Sequence, residues 1–117
     1  MTTKIALLGA GGKMGCRITD NLKNLPQYEI YYVEVSEAGI ANLEKRGLKP
    51  TPQNEAIVHA DAVILALPDR LIGRITKSLI PELKPGTLVI GLDPAAAYAE
   101  VMPIRSDLTY FVSHPHR

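Results

Sequence analysis

The stretch Lys4-Ile5-Ala6-Leu7-Leu8-Gly9-Ala10-Gly11-Gly12-Lys13-Met14-Gly15 decides how this chain is read. An aliphatic run of strand character leads into a glycine cluster, and the cluster leads into helical spacing. Strand, tight glycine turn and helix, in that order, are what a dinucleotide pyrophosphate requires. Glycines admit the turn, main-chain N–H groups reach the phosphates, and the helix N-terminus contributes its positive dipole end. Started at Gly9, the spacing G-x-G-x-x-G would demand glycine where Met14 stands. Two registers fit better: G-x-x-G-x-x-G through Gly9, Gly12 and Gly15, or A-x-G-x-x-G ending on Gly15. We place Gly9 and Gly12 at the turn and give Gly15 to close helix–strand packing. The competing reading is an ordinary strand–helix turn that is rich in glycine.

The next signal falls where the first one requires it. Tyr28-Glu29-Ile30-Tyr31-Tyr32-Val33-Glu34-Val35 is rich in β-branched and aromatic residues and predicts a strand. Glu34 lies near its carboxyl end, roughly 20 residues beyond the glycine turn, where a carboxylate accepts the adenosine ribose hydroxyls. A carboxylate there repels a 2′-phosphate. No arginine follows directly, since Lys45 and Arg46 come a full helix later, and this favours NAD over NADP. The alternative for Glu34 is a solvated glutamate at a strand end.

Composition narrows the function classes. The 117 residues are 46% hydrophobic and 21% charged, which supports one core of ordinary size. A formal net charge of +1 leaves no electrostatic footprint for nucleic acid. No apolar run reaches the roughly 18 residues of a membrane span, and the early strand leaves no room for a signal peptide. The single cysteine, Cys16, excludes an internal disulfide and points to the cytoplasm. Cys16 falls in the first turn of the expected helix, and we read it as a small packing residue. Histidines at 59, 114 and 116 and one cysteine make no metal site.

Helices and strands alternate along the rest of the chain. The first helix is expected over 14–25, with Met14, Ile18, Leu22 and Leu25 inward, ended by Pro26. Ser36 is placed to cap a helix running to 46, with Ile40 and Leu43 inward and Gly47 as the stop. Residues 48–51 read as a short third strand and 55–59 as one helical turn. Residues 61–67 form a near-continuous apolar fourth strand of the kind a parallel sheet buries. A helix follows from Pro68-Asp69, facing inward with Leu71, Ile72, Ile75, Leu79 and Leu83. A fifth strand over 87–92, a helix over 94–101 and a sixth strand over 108–112 complete the pattern. The alternation predicts an α/β doubly wound parallel sheet in the order 3-2-1-4-5-6, one domain over 1–117. Ligands of such sheets lie beyond the carboxyl ends of the strands, at the switch between the first and fourth. Ala66-Leu67-Pro68-Asp69-Arg70 leaves the fourth strand at that place. The candidate cofactor residues are therefore Gly9, Gly11, Gly12, Lys13, Met14, Glu34, Leu67, Pro68 and Asp69.

Several segments together carry a family resemblance. They are Gly-Ala-Gly-Gly-Lys-Met-Gly from Gly9, the acidic end of the second strand, Ala-Asp-Ala-Val-Ile-Leu-Ala-Leu-Pro-Asp from Ala60, Leu-Lys-Pro-Gly-Thr-Leu-Val-Ile from Leu83, and Ser113-His114-Pro115. The chain resembles the NAD-binding Rossmann domain of the 6-phosphogluconate and β-hydroxyacid dehydrogenase superfamily. Asp-Pro-Ala-Ala-Ala-Tyr-Ala from Asp93 and the Val-Met-Pro run from Val101 resemble the phosphogluconate dehydrogenase-like branch that includes D-apionate oxidoisomerase.

The resemblance implies an NAD-dependent oxidoreductase that moves a hydride between a hydroxy (sugar-type) acid and nicotinamide. It also implies a homodimer and a helical domain after the sheet, which the superfamily uses for substrate contacts and dimerisation. That domain is absent from these residues, so the chain is expected to be the cofactor-binding part and catalytically incomplete alone. Prephenate dehydrogenases share the architecture and carry a catalytic histidine in a His-Pro pair, which makes His114 the candidate general base. Asp93 is placed either to cap the following helix or to contact ribose and substrate. A second class stays open: a non-catalytic nucleotide-binding module that senses redox state or binds CoA. Glu34 separates the two, because CoA gives no ribose-diol reason for a carboxylate there.

Overall fold

The computed structural model describes residues 2–67, 69–92 and 106–113. The elements are β1 (Thr3–Leu8), α1 (Lys13–Leu22), β2 (Tyr28–Val33), α2 (Glu37–Lys45), α3 (Gln53–His59), β3 (Ala62–Leu65), α4 (Asp69–Leu79), β4 (Leu88–Leu92) and β5 (Thr109–Ser113). A 3₁₀ turn, Ile80–Glu82, extends α4. The described strands form one parallel sheet in the order β2-β1-β3-β4-β5. This is the doubly wound arrangement with the expected third strand removed.

The missing strand has a local cause. Residues 48–51 contribute a single main-chain bond to the sheet, from Thr51 N–H to the Tyr32 carbonyl at 2.6 Å. Pro50 and Pro52 flank Thr51, and neither has an N–H to carry a ladder onward. The order is therefore 2-1-3-4-5 rather than 3-2-1-4-5-6. The helix expected over 94–101 lies outside the described residues.

Each strand turns alternate residues to opposite faces, and both faces are covered. Ile5 and Leu7 of β1 join Tyr32, Leu43, Ala62 and Ile64 on the face packed by α1 and α2. Ala6 and Leu8 join Val33, Ile57, Val63, Leu65 and Leu79 on the face packed by α3 and α4. Such burial explains why the strands read as continuous apolar runs.

Helix α1 is rotated from the expected stripe. Ile18 and Leu22 pack on the core, but Met14 is 41% and Leu25 is 37% exposed. The buried residues are Gly15, Cys16 and Thr19. Gly15 is responsible, because a Cβ there would run into the Gly9 carbonyl oxygen. Only glycine lets the helix rest directly on its own leading turn. The helix stops three residues early, and Leu25 N–H donates to the Leu22 carbonyl at 3.0 Å in the turn that follows.

Helix α2 begins as expected, with Ser36 Oγ accepting the Gly39 N–H at 3.0 Å. Leu43 is fully buried and Gly47, at φ +74°, ends the segment. Helix α3 is two turns rather than one, anchored by buried Ala56 and Ile57. In α4, Leu79 is buried and Ile75 packs on the core, while the side chains of Leu71 and Ile72 lie outside the described residues.

The amino-terminal edge of the sheet is fastened by Asp61. Its Oδ2 accepts Lys4 N–H at 2.9 Å and its Oδ1 meets Lys84 Nζ at 2.9 Å. The Lys4 N–H bond first, and Lys84 second, hold the Asp61 carboxyl below its ordinary value. The opposite edge is left open. Among the described residues no helix is long and apolar enough to cross a membrane.

Candidate functional site

The open edge carries a cleft of about 470 Å³ where β1, β2 and β3 end. Its floor is Gly9, at φ +80°, a conformation that suits glycine. A Cβ on Gly9 would strike the Ala66 carbonyl oxygen and lie 3.2 Å from Leu67 Cδ2. The turn thus passes directly against the end of β3. The N–H groups of Gly9 and Ala10 both donate to the Val33 carbonyl, at 2.9 and 3.2 Å, which fastens the turn to β2. Gly12 N–H donates to the Gly9 carbonyl at 3.1 Å and closes it.

Gly12 is also the N-cap of α1. No side chain caps this helix and no acidic residue occupies its first turn. The N–H groups of Lys13, Met14 and Gly15 therefore head the helix without a side-chain acceptor, beside the positive end of the dipole. A helix start in that condition accepts an anion.

Glu34 follows β2 and lines the same cleft. Its Oε1 accepts Gly11 N–H at 2.9 Å. Its Oε2 accepts Val35 N–H, Ser36 N–H and Ser36 Oγ–H, each at 3.0 Å. The Gly11 carbonyl accepts Asn42 Nδ2 of α2 at 2.8 Å and Cys16 Sγ at 3.4 Å. A Cβ on Gly11 would meet the Gly39 carbonyl, so α2 rests main chain to main chain on the glycine turn. One turn along α2, Arg46 donates to the Asn42 carbonyl at 3.1 Å and to Asp20 of α1 at 2.9 Å. That pairing, led by the Arg46–Asp20 hydrogen bond, lowers the Asp20 carboxyl and raises Arg46 from their ordinary values.

Of the residues marked from sequence, Gly9, Gly12, Glu34 and Leu67 line the cleft. Gly11 is buried beneath Gly39 and meets the cleft through its bond to Glu34. Lys13 and Met14 open α1 with exposed side chains, so their main-chain N–H groups are what they offer at its head. Asp69 is the first residue of α4 and its side chain is outside the described residues. Pro68, Asp93 and His114 also lie outside them.

Sequence reasoning missed Val35, Gln53 and Ile75 as cleft residues and knew Ser36 only as a cap. Val35 and Gln53 belong to no periodic pattern. Ile75 was visible, but as core. Cys16 is buried, as expected of a packing residue. Among the described residues no cluster could hold a metal ion. The site therefore offers a mostly apolar slot, a carboxylate at its rim, a turn that brings main chain to its floor, and an uncapped helix start.

These features agree with comparisons to known proteins. The family model described as NADP oxidoreductase, coenzyme F420-dependent, matches residues 4–94. The chain is 47% identical over 112 residues to a D-apionate oxidoisomerase of Blautia hydrogenotrophica, covering 95% of this chain and 39% of the relative. It is 49% identical over 114 residues to a D-apionate oxidoisomerase of Rhizobium rhizogenes, covering 97% and 41%. A crystal structure of a semialdehyde dehydrogenase NAD-binding protein from Cupriavidus necator, in complex with calcium and NAD, superposes with a TM-score of 0.90. Identity there is 49%, covering 98% of this chain and 42% of that one. The chain thus spans about two fifths of the length of these relatives.

Proposed function

Because the chain belongs to the NADP oxidoreductase, coenzyme F420-dependent family, we propose that it is the NAD-binding part of an oxidoreductase acting on a hydroxy acid of sugar type. The observation that carries this reading is Glu34 joined to the glycine turn beside an uncapped α1. In it, the N–H groups at the head of α1 take the diphosphate, beside Gly9, Gly11, Gly12, Lys13 and Met14. Glu34 takes the hydroxyls of the adenosine ribose. Leu67, Pro68 and Asp69 run along the nicotinamide half.

The donor set fits the group. Gly9 leaves room that a Cβ would fill, and α1 has neither side-chain cap nor first-turn acid to compete with a diphosphate. NAD rather than NADP is supported by the Glu34 carboxylate, which already occupies the donors a 2′-phosphate would need. The family description names NADP, whereas the Cupriavidus necator protein holds NAD. When bound, NAD supplies the hydride acceptor. The chain's own work is to orient the cofactor and to exclude water from its adenosine half.

We assign His114 as the base that takes the substrate hydroxyl proton, since an imidazole titrates near neutrality. Substrate contacts and a homodimer interface belong, in this reading, to a further domain that accounts for the extra length of the relatives. The lone cysteine supports a cytoplasmic setting.

Titration of the chain with NADH, NADPH and CoA tests the proposal. NADH binds best; binding of CoA with neither dinucleotide would establish the non-catalytic alternative instead. Residues 1–117 alone give no turnover with hydroxy acids, and robust turnover would remove the division of labour proposed here.

A further inference from the structure

Beyond the ribose and diphosphate contacts, we propose that Gln53 reads the amino edge of the adenine base. The inference rests on the dinucleotide reading above. With the diphosphate at the head of α1 and the ribose at Glu34, the base must continue past Glu34 on the side away from α1. Val35, Gln53 and Ile75 line the same cleft as Glu34.

Val35 is 86% exposed, an isolated aliphatic side chain on the rim of an apolar slot. A flat heteroaromatic plate laid against Val35 and Ile75 removes that apolar surface from water. Three polar side chains line the described part of the cleft. Glu34 and Ser36 are committed to each other and to main-chain N–H groups. The Gln53 carboxamide has no hydrogen-bond partner among the described residues. It is half-buried, so an apolar ring placed over it must either pair with it or leave it unsatisfied.

The position of Gln53 is well fixed. It is the first residue of α3, whose Ala56 and Ile57 are fully buried, and Pro52 holds the N-cap at φ −57°. Thr51 N–H is tied to the edge of β2 through the Tyr32 carbonyl. A carboxamide carries an acceptor and a donor side by side, which matches the 6-amino group of adenine together with N1 or N7. Its Oε1 accepts from the amino group and its Nε2 donates to the ring nitrogen.

The experiment is isothermal titration of the chain with NAD and with nicotinamide purine dinucleotide, which lacks the amino group and adds no bulk. The unaltered protein should prefer NAD roughly tenfold, the discrimination of one good bidentate pair. Gln53→Leu should bind both at the weaker affinity. Gln53→Glu keeps the acceptor and loses the donor, so it should bind NAD more weakly yet still prefer it. Equal binding by the unaltered protein, or a preference that survives in Gln53→Leu, overturns the assignment to Gln53 and leaves the dinucleotide reading intact. Failure of both dinucleotides to bind the unaltered protein overturns that reading and this one together.

Discussion

The N–H of Gly11 donates to Glu34 Oε1 at 2.9 Å, joining the glycine turn to a carboxylate 23 residues further along the chain. Oε1 takes this one donor, while Oε2 takes three from Val35 and Ser36. Each carboxylate oxygen has about two lone-pair sites, so Oε1, with its one donor, keeps room for a hydroxyl. The same acid closes the turn and, in the function proposed, receives the ribose.

Glu34→Ala removes both roles and frees the N–H groups of Gly11, Val35 and Ser36 for another anion. NADH affinity should fall roughly 10- to 100-fold, the worth of hydrogen bonds to a charged group. NADPH should lose less, narrowing the preference. Titration of both cofactors checks this, and unchanged selectivity would refute the role given to Glu34.

Gly9 and Gly47 both have positive φ, at +80° and +74°, yet their surroundings differ. A Cβ on Gly47 meets nothing within 4 Å, whereas on Gly9 it strikes the Ala66 carbonyl. Gly47→Ala should cost about 1–2 kcal/mol, the left-handed backbone penalty alone. Gly9→Ala should cost clearly more and abolish NADH binding. Urea unfolding of the two variants decides it; equal losses would contradict the packing described.

Asn42 acts through Gly11, whose carbonyl it holds at 2.8 Å. Asn42→Ala should destabilise the chain by about 1 kcal/mol and weaken NADH and NADPH by the same few-fold factor. The unchanged ratio separates a positioning residue from one with the discriminating role proposed for Glu34.

Asp61 gives a pH signature at the far edge of the sheet. Its native pKa is lowered from 3.8, mainly by Lys4 N–H and then by Lys84. A depressed carboxyl stabilises the fold above its unfolded value and loses that contribution as pH falls through the native one. The Tm advantage of the natural chain over Asp61→Asn should therefore be constant near neutrality and shrink below about pH 3.8. An advantage that grows on acidification would contradict the pairing.

Thr19 is fully buried in α1, and its Oγ1 has no partner among the described residues. Thr19→Val keeps the shape and removes an unsatisfied hydroxyl. Stability should rise by about 1 kcal/mol, measured by urea denaturation, whereas a loss would reveal a partner for the hydroxyl.

Much of the frame was legible because its signals are local. The aliphatic runs of β1 and β3 reflect strands covered on both faces, and Ser36 and Gly47 mark the ends of the α2 segment by their own backbone chemistry. Gly9, Gly12 and Glu34 could be picked out because dinucleotide sites require those residue types at that spacing. Where the reading missed, the cause was local backbone chemistry in one segment and a packing contact in another. Residues 48–51 looked like a strand until Pro50 and Pro52 denied the ladder its donors. The stripe through Met14 and Leu25 had acceptable helical spacing, but the meeting of Gly15 with the Gly9 carbonyl turned α1 another way.

By itself the sequence determined the alternation of strands and helices, the glycine turn and the acid after β2, because each is written in neighbouring residues and in backbone preferences. Only the tertiary structure decided that Gly11 N–H donates to Glu34, that Gly39 lies on Gly11, and that Gln53 and Val35 border the same cleft. Those relations arise when helices seat on the sheet at van der Waals distance, and no periodicity along one segment encodes the rotation at which another segment meets it.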